Sequence, residues 1–253
     1  MSANNYYEQI SRVLGAIHER EGKKIEQAGE MLASAIAAGK RVYLFGSGHS
    51  VIPVMDVFPR YGSFVGFFPL YDPRLMWHNV VGPGGARELL WLERREGYIQ
   101  NFLQSFALEK GDCMIVFSHG GLNAAPIEAA LYAKERGLKV ITVSSLANAA
   151  VAKATHSSGK KLSDVADIAL DNCVAPEDSQ VDIGRIEKVA AGSTMAAVFV
   201  AMSLVAETGA RLVKKGFQPN TFVSPNVEGT SKDHNFRVFD EFTKRLFERP
   251  PAC

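Results

Sequence analysis

Residues 41–50 read RVYLFGSGHS, and this stretch decides the fold class. The run at 42–45 predicts a buried strand of a parallel sheet, because it is continuously apolar and ends at breaker residues. Gly46 and Gly48 would let the backbone approach a ligand closely, and the serine hydroxyls would add donors. If a helix follows, its free N–H groups favour an anion at the same point. The stretch predicts either a phosphate site or an ordinary turn.

The turn does not match the nucleotide-binding fingerprints. G-x-G-x-x-G would need glycine where the chain has Val51, and a Walker loop would need a following G-K-[ST]. No acidic residue clearly ends a second strand about 20 residues further on. Dinucleotide binding is therefore disfavoured.

The same strand-then-turn pattern recurs. Residues 113–123, CMIVFSHGGLN, run from an apolar strand into a glycine-rich turn. Residues 124–136 predict a helix, with Pro126 in its first turn and Gly137 as its stop. Residues 139–145, KVITVSS, form a further strand that ends in hydroxyl residues. Strands that end in small polar residues would bring them together at the carboxyl edge of a parallel sheet, where open α/β sheets bind ligands.

The amino-acid composition excludes several classes of partner and location. The chain has 253 residues, 47% apolar and 22% charged, with a formal net charge of +1. This balance argues against nucleic acid or a membrane surface as the main partner. No 18-residue uncharged apolar span occurs, so no transmembrane helix is expected, and the start MSANNYYEQI does not resemble a secretory signal. Cys113, Cys173 and Cys253 lack metal-site spacing, which favours idle thiols in a reducing cytoplasm.

Hydrophobic periodicity predicts a doubly wound α/β domain. Sequential strand–helix units indicate one three-layer αβα sandwich with a five-stranded parallel sheet. The predicted single domain, 1–253, comprises an N-terminal helical pair at 1–39 with a boundary near Gly22, a core at 40–215, and a tail and helix at 216–253. The other predicted elements are a helix continuing over 56–61, a strand at 63–70, a long loop at 71–87, a helix at 88–108 interrupted near Gly97, a small polar segment at 146–161, a short helix at 162–167, a strand at 168–170, an irregular loop at 173–185, a long helix at 187–215, a loop at 219–235 and a helix at 236–247.

The chain resembles the SIS (sugar isomerase) domain family, which includes phosphoheptose isomerase. The resemblance is strongest to a bacterial subfamily described as sugar isomerases, and it covers nearly the whole chain. Four departures from the family pattern are Val51, Asp56 in place of glutamate, Gly120 in place of serine, and Pro225 in place of alanine. The segments that carry the resemblance are GHS at 48–50, LERREGY at 92–98, SHGGLN at 118–123, HSSGKKL at 156–162, VAD at 165–167, LDN at 170–172 and SPNVEGTSKDHN at 224–235.

The resemblance implies a phosphosugar ligand. It assigns the phosphate to hydroxyl and amide side chains and to backbone N–H groups of the two loops, completed by a serine–threonine pair late in the chain. Ordinary turn and packing roles remain the alternative for each of these residues. The implied binding residues are Ser47, Gly48, Ser50, Ser118, Gly120, Gly121, Asn123, Ser193 and Thr194.

The activity that the resemblance implies is aldose–ketose isomerisation, which needs a base to move a proton between adjacent carbons. Glu93, Glu96 and Glu187 are the candidate carboxylates, Glu187 lying close to the place of a catalytic glutamate in the amidotransferase relatives. His49 and His119, inside the two loops, are candidate proton carriers or sugar-hydroxyl donors. The alternative for each carboxylate is an exposed glutamate on a helix with no catalytic role.

Accessory roles fall to a further set of residues. His156 would orient its loop, Lys160 would offer charge to the anion, and His234 with Asn235 would reach a neighbouring subunit's site. Asp56 is a further candidate catalytic carboxylate, one methylene shorter than the glutamate that the family usually has there. The scattered histidines predict no metal, and no cofactor is expected. The resemblance implies a homodimer or homotetramer with interface sites. A non-catalytic phosphosugar sensor, or a phosphosugar lyase or etherase, remains open.

Overall fold

The computed structural model describes residues 1–82 and 84–248; Cys253 and the end of the predicted tail lie outside them. The central sheet has five parallel strands in the order β2-β1-β3-β4-β5. Its strands are β1 Val42–Gly46, β2 Phe67–Pro69, β3 Cys113–Phe117, β4 Lys139–Ser144 and β5 Ile168–Asp171.

Helices surround this sheet, and a short antiparallel hairpin stands apart from it. The hairpin strands are β6 Ser179–Val181 and β7 Val189–Ala191. The helices are α1 Ser2–Ala37, α2 Val51–Val57, α3 Ala86–Leu92, α4 Tyr98–Leu103, α5 Ala124–Glu135, α6 Leu146–Val151, α7 Leu162–Val165, α8 Ser193–Lys214 and α9 His234–Phe247.

Strand alternation builds two cores, one on each face of the sheet. Val42 and Leu44 of β1 belong to the core that α1, α2 and α8 cover. Tyr43 and Phe45 point the other way, into the core covered by α4 and α5. Successive side chains of a strand alternate between faces, so a strand with helices on both sides is apolar throughout. The predicted three-layer αβα sandwich is confirmed.

The N-terminal region corrects one prediction. In place of a helical pair broken near Gly22, α1 is one continuous helix of 36 residues. Ile17, Ile25 and Leu32 are buried along its inner face. Glycine in a helix interior costs about 1 kcal/mol relative to alanine, and burial of this long apolar face offsets that cost.

The predicted bounds of several other elements were also wrong. The strand expected at 63–70 is only Phe67–Pro69, and the helix expected to continue over 56–61 ends at Val57. Phe58 is extended because a proline follows it. The helix predicted over 88–108 is two short helices, α3 and α4, which end before residue 108, while its predicted interruption near Gly97 is confirmed. α6 lies within the segment at 146–161, where no helix was predicted.

The long helix predicted over 187–215 begins only at Ser193. Val189–Ala191 pairs instead with Ser179–Val181, so Glu187 lies in the hairpin connection. The Asp178 carboxylate then accepts the N–H groups of Gly192 and Ser193 at 3.0 and 2.7 Å. A side-chain acceptor at this point satisfies free N–H groups and defines where the helix starts.

α8 also departs from the expectation that no segment could cross a membrane. Its length and composition alone would allow it to cross a membrane, and 39% of its most apolar 18-residue stretch is buried in the protein. The core helix of a globular protein passes the same test, so this is weak evidence. Ala196, Val200 and Leu204 of α8 pack into the core beside α1.

Candidate functional site

The site lies where the strand order reverses. β1 is flanked by β2 on one side and by β3 on the other, so the loops at 46–50 and 118–123 leave the sheet next to one another. This topological switch point is where open α/β sheets bind ligands. At Gly46 an added Cβ would lie 2.1 Å from the Ser50 carbonyl oxygen, and Gly48 has φ +60°. The tight first loop therefore requires glycine at both positions.

A cavity opens between these loops, α8 and the end of β5. The space between the lining atoms is about 260 Å³, including the part that is open to solvent. It brings together six of the predicted site residues. The lining residues are His49, Ser50, Ser118, His119, Val143, Asn172, Ser193, Thr194 and Ala197.

Neutral polar groups dominate this lining. Its polar side chains are three serines, one threonine, one asparagine and two histidines. Within the described part of the chain, no Lys, Arg, Asp or Glu lines the cavity. The arrangement suits a ligand rich in oxygen acceptors, such as a phosphate group or a sugar.

His119 is held from one side by Asn172. The Asn172 Nδ2 atom lies 3.1 Å from His119 Nδ1, while Asn172 Oδ1 accepts the Val174 N–H at 3.0 Å. The His119 backbone is fixed as well, since its carbonyl accepts the Ser145 N–H at 2.9 Å. His119 Nε2 is buried and has no hydrogen-bond partner among the described residues.

His49 forms the outer edge of the cavity. It is exposed, and its ring lies 4.5 Å from that of Trp77, centroid to centroid. Trp77 lies between β2 and α3, close to Leu75, whose carbonyl accepts the Gly48 N–H at 2.8 Å. Trp77, in the segment predicted to be a long loop, thus helps to position the candidate site residue His49.

Ser193 and Thr194 begin α8 and are not a mid-helix packing pair. The Ser193 Oγ donates to Asp178 Oδ2 at 2.8 Å. The Ser193 hydroxyl proton is therefore bound by Asp178, whereas the Thr194 hydroxyl donates to no carboxylate among the described residues.

Ser47 and Glu93 form a buried pair behind the first loop. The Ser47 Oγ donates to Glu93 Oε2 at 3.0 Å, and both residues are less than 9% exposed. Burial raises the pKa of Glu93, and the Ser47 hydrogen bond opposes that rise. Ser47 therefore has a carboxyl partner inside the protein, and neither residue lines the cavity.

Two backbone N–H groups of the predicted cradle, those of Gly48 and Gly121, donate to other groups of the protein, and the predicted cradle stays a prediction. The Gly48 N–H donates to Leu75, and the Gly121 N–H donates to the Ser118 Oγ at 3.2 Å. The Gly120 carbonyl accepts the Asn148 side chain at 2.8 Å. These bonds hold the two loops in their observed conformation.

Three predicted site residues line a neighbouring cavity. Its empty volume is about 480 Å³, and its lining residues are Arg94, Glu96, Asn123, Ala124, Thr155 and His156. The Glu96 carboxylate accepts the Ser157 N–H at 2.7 Å and the Ser157 hydroxyl, and these bonds lower the pKa of Glu96. The His156 Nδ1 atom lies 2.8 Å from the Ser158 Oγ.

The remaining candidates lie outside both cavities. Glu187 is exposed on the hairpin and pairs with Arg185 at 3.3 Å, and Asp56 pairs with Arg60 at 2.6 Å. Lys160 is exposed in its turn. His234 donates from Nε2 to the Thr221 carbonyl at 2.8 Å, and Asn235 exchanges two hydrogen bonds with the Val223 backbone. The last two side chains fasten the tail of their own chain, and a role at a neighbouring subunit stays a prediction.

Sequence reasoning missed three residues. Asn172, Asp178 and Trp77 were not among the predicted site residues, although each contacts a residue that was. Asn172 closes the motif LDN directly after β5, so its place at a strand end could have identified it. Asp178 and Trp77 lie in irregular segments, where no period fixes the direction of a side chain.

A metal site does not emerge from the geometry. Across residues 1–82 and 84–248, no group of three or more His, Cys, Asp or Glu side chains is arranged to hold an ion. The expectation of no cofactor stays a prediction.

Known proteins resemble the chain in sequence over nearly all of its length. The UPF0309 protein lin2794 of Listeria innocua is 34% identical over 244 residues, covering 96% of each chain. The UPF0309 protein OB3413 of Oceanobacillus iheyensis is 35% identical over 242 residues, covering 95% of this chain and 96% of that one.

Solved structures share the fold at low sequence identity. The phosphoheptose isomerase of Francisella tularensis has a TM-score of 0.53 at 16% identity, covering 82% of this chain and 96% of its own. That of Neisseria gonorrhoeae gives 0.52 at 14% identity, with 82% and 97% covered. The sequence model described as "SIS domain" matches residues 5–145. With this match and the switch-point cavity, the chain belongs to the SIS domain family.

Proposed function

We propose that the protein binds a phosphorylated sugar in the switch-point cavity and interconverts its aldose and ketose forms. The observation that carries this proposal is the gathering of Ser50, Ser118, Thr194 and two histidines around one cavity. Hydroxyls suit phosphate oxygens, and an imidazole can move protons near neutral pH. The phosphoheptose isomerases that share the fold add support by analogy alone.

The test measures ligand binding first and then the exchange of substrate hydrogen for solvent deuterium. Aldose and ketose phosphates of five to seven carbons, amino sugars included, are screened by thermal shift and then incubated with the protein in D₂O. An isomerase working by proton abstraction incorporates solvent deuterium at C1 or C2 of its substrate. Saturable binding with no exchange would reject isomerisation and leave phosphosugar binding intact. No binding across the panel would reject both.

Ser118→Ala tests the phosphate cradle. We expect it to weaken binding of the phosphosugar by roughly 1.5–3 kcal/mol, the usual range for a hydrogen bond to a charged group. Isothermal titration calorimetry measures the change. Ser203→Ala is the matched control, because Ser203 bonds the Phe199 carbonyl within α8 and does not line the cavity. Equal affinities for the wild type and Ser118→Ala would contradict the cradle.

A sensor that binds a phosphosugar without turnover is the second candidate. The observation that favours it is the position of the carboxylates: Glu93 is buried behind Ser47, Glu96 lines the neighbouring cavity, and Glu187 is on the hairpin. A proton abstraction next to a carbonyl needs a base within reach of the substrate. The deuterium experiment separates the two candidates directly.

Cellular context and assembly complete the proposal. Cys113 and Cys173 are free, and burial raises the pKa of Cys113 to about 12 and that of Cys173 to about 11. Unreactive free thiols fit a reducing cytoplasm, which we propose as the location. A homodimer or homotetramer with sites near its interfaces is proposed as the working form.

A further inference from the structure

Asn172 has a fixed orientation. It is 1% exposed, and its own N–H donates to the Ser144 carbonyl at 2.9 Å. Its side-chain oxygen accepts the Val174 N–H, and a backbone N–H can be accepted only by the oxygen of an amide. The opposite end, facing His119, must therefore be the NH₂ group.

This orientation decides the tautomer of His119. An NH₂ group only donates, so the Nδ1 atom at 3.1 Å must accept and cannot carry a proton. A neutral imidazole with a bare Nδ1 carries its proton on Nε2. His119 therefore presents an Nε2–H donor, and this donor is the buried atom with no partner among the described residues.

An unpaired buried donor is costly, and it creates selectivity. On burial the group loses its hydrogen bonds to water, and no described residue replaces them. A ligand that supplies an acceptor recovers this energy, and an analogue without that acceptor does not. His119 lines the cavity beside Ser118 and Thr194, so a molecule bound there can supply the acceptor.

We propose that Asn172 fixes His119 as an Nε2–H donor, and that this donor selects the ligand by one oxygen of its sugar. This inference rests on the proposed phosphosugar function and deepens it. The donor is assigned to a sugar oxygen because three hydroxyl groups of the same lining are already available to the phosphate. The phosphate is better matched by the hydroxyls of Ser50, Ser118 and Thr194. His119 is then a donor and not the base of the reaction, and Asn172 is a positioning residue.

The tautomer is tested without any ligand. Long-range ¹⁵N–¹H correlation of the histidine rings, with His119 assigned by its loss in His119→Phe, should show a protonated Nε2 and a bare Nδ1. In Asn172→Asp the carboxylate can only accept, so the proton should move to Nδ1. A wild-type spectrum with the proton on Nδ1 overturns the inference, whether or not the variant folds.

The selectivity is tested with paired ligands. The phosphosugar of the panel that binds best is compared with its monodeoxy analogues, one for each hydroxyl, with the alditol for the carbonyl, and with inorganic phosphate. His119→Phe should weaken binding of the parent about tenfold or more. Against the one analogue that lacks the selected oxygen, the wild type and His119→Phe should bind alike.

Control variants distinguish the role assigned to His119 from the proposed phosphosugar function. His18→Phe, on the exposed side of α1, should keep the wild-type affinity for the parent. His119→Gln places an N–H₂ donor at similar reach and should recover part of the loss. Equal losses for inorganic phosphate and the parent, or no loss at all, overturn the sugar-oxygen assignment. Failure of the wild type to bind any phosphosugar would instead overturn the proposed function.

Discussion

Glu93 couples the candidate site to stability at the scale of a single residue. It is 6% exposed, and its carboxyl accepts the Ser47 hydroxyl directly behind the first loop. Burial disfavours the charged form more than the hydrogen bond favours it, so the pKa of Glu93 lies above the ordinary 4.5. The folded protein therefore holds this proton more firmly than the unfolded chain does.

Glu93→Gln should remove a pH-dependent cost of folding. For a carboxyl with a raised pKa, stability is lost as pH rises from 4.5 through the folded pKa, because ionisation is penalised only in the folded state. The variant lacks this loss, and its Oε1 can still accept the Ser47 hydroxyl. Urea unfolding at half-unit steps between pH 4 and pH 8, in the wild type and the variant, measures the difference.

Glu96→Gln provides the control with the opposite sign. Its hydrogen bonds with Ser157 lower the pKa of Glu96, so its contribution is present above the ordinary value of 4.5 and is lost as pH falls. Relative to the wild type, Glu93→Gln should gain stability as pH rises above 4.5, whereas Glu96→Gln should lose it as pH rises toward 4.5. The unfolding series is therefore extended down to pH 3 for the wild type and both variants. Parallel curves for all three proteins would contradict both assignments.

The packing of α1 on α8 governs the architecture at the scale of elements. Gly29 lies at the closest approach, where an added Cβ would meet the Glu207 Cβ at 2.7 Å and the Glu207 carbonyl carbon at 3.3 Å. Gly22 lies in the same helix, and an added Cβ there would meet nothing within 4 Å. The two glycines therefore have different reasons to be present.

Gly22→Ala and Gly29→Ala should change stability in opposite directions. At Gly22 alanine adds helix propensity at no steric cost, and we expect a gain of up to about 1 kcal/mol. At Gly29 the new methyl pushes against α8, and we expect a loss of about 1–3 kcal/mol. Guanidinium unfolding measures both. A loss at Gly22 would instead favour the broken helical pair, because alanine is a poor residue at a left-handed helix end.

Exposed apolar side chains of α2 and α8, two helices in contact, bear on the proposed assembly at the scale of the whole molecule. Ile52 and Met55 of α2 are 39% and 48% exposed, and Met195 of α8 is 48% exposed. α2 begins after Ser50 and α8 begins at Ser193, so this surface adjoins the cavity. We propose that these side chains lie in the interface of the proposed homodimer or homotetramer, because contiguous apolar groups on a surface mark interaction sites.

Met55→Glu should disrupt the proposed dimer. Sedimentation velocity should give the wild type at least twice the chain mass of 27.5 kDa, and the variant a reduced mass, because a buried unpaired carboxylate opposes association. Val151→Glu is the control, since Val151 is 75% exposed but belongs to α6. A wild-type monomer, or an unaffected variant, would contradict this assignment of the interface.

Much of the fold could be predicted because its strands are buried on both faces. The apolar runs around Val42, Met114 and Val140 each end in a polar turn, which places the strands, their direction and the two loops. Helix continuity was harder to predict. Gly22 looks like a helix boundary locally, yet burial of Ile17 and Ile25 on either side keeps α1 intact. Long-range packing outweighs a local preference of about 1 kcal/mol.

By itself, the sequence determined the αβα class, the switch-point loops and most of the residues that line the cavity, since strand ends must meet at one edge of a parallel sheet. The tertiary structure alone decided which of those residues face the cavity. In the folded protein Ser47 bonds Glu93 and does not line the cavity, α8 begins at Ser193, and the Asn172 amide faces His119. Hydrogen-bond direction depends on partners far apart in the chain, and periodicity carries no information about them.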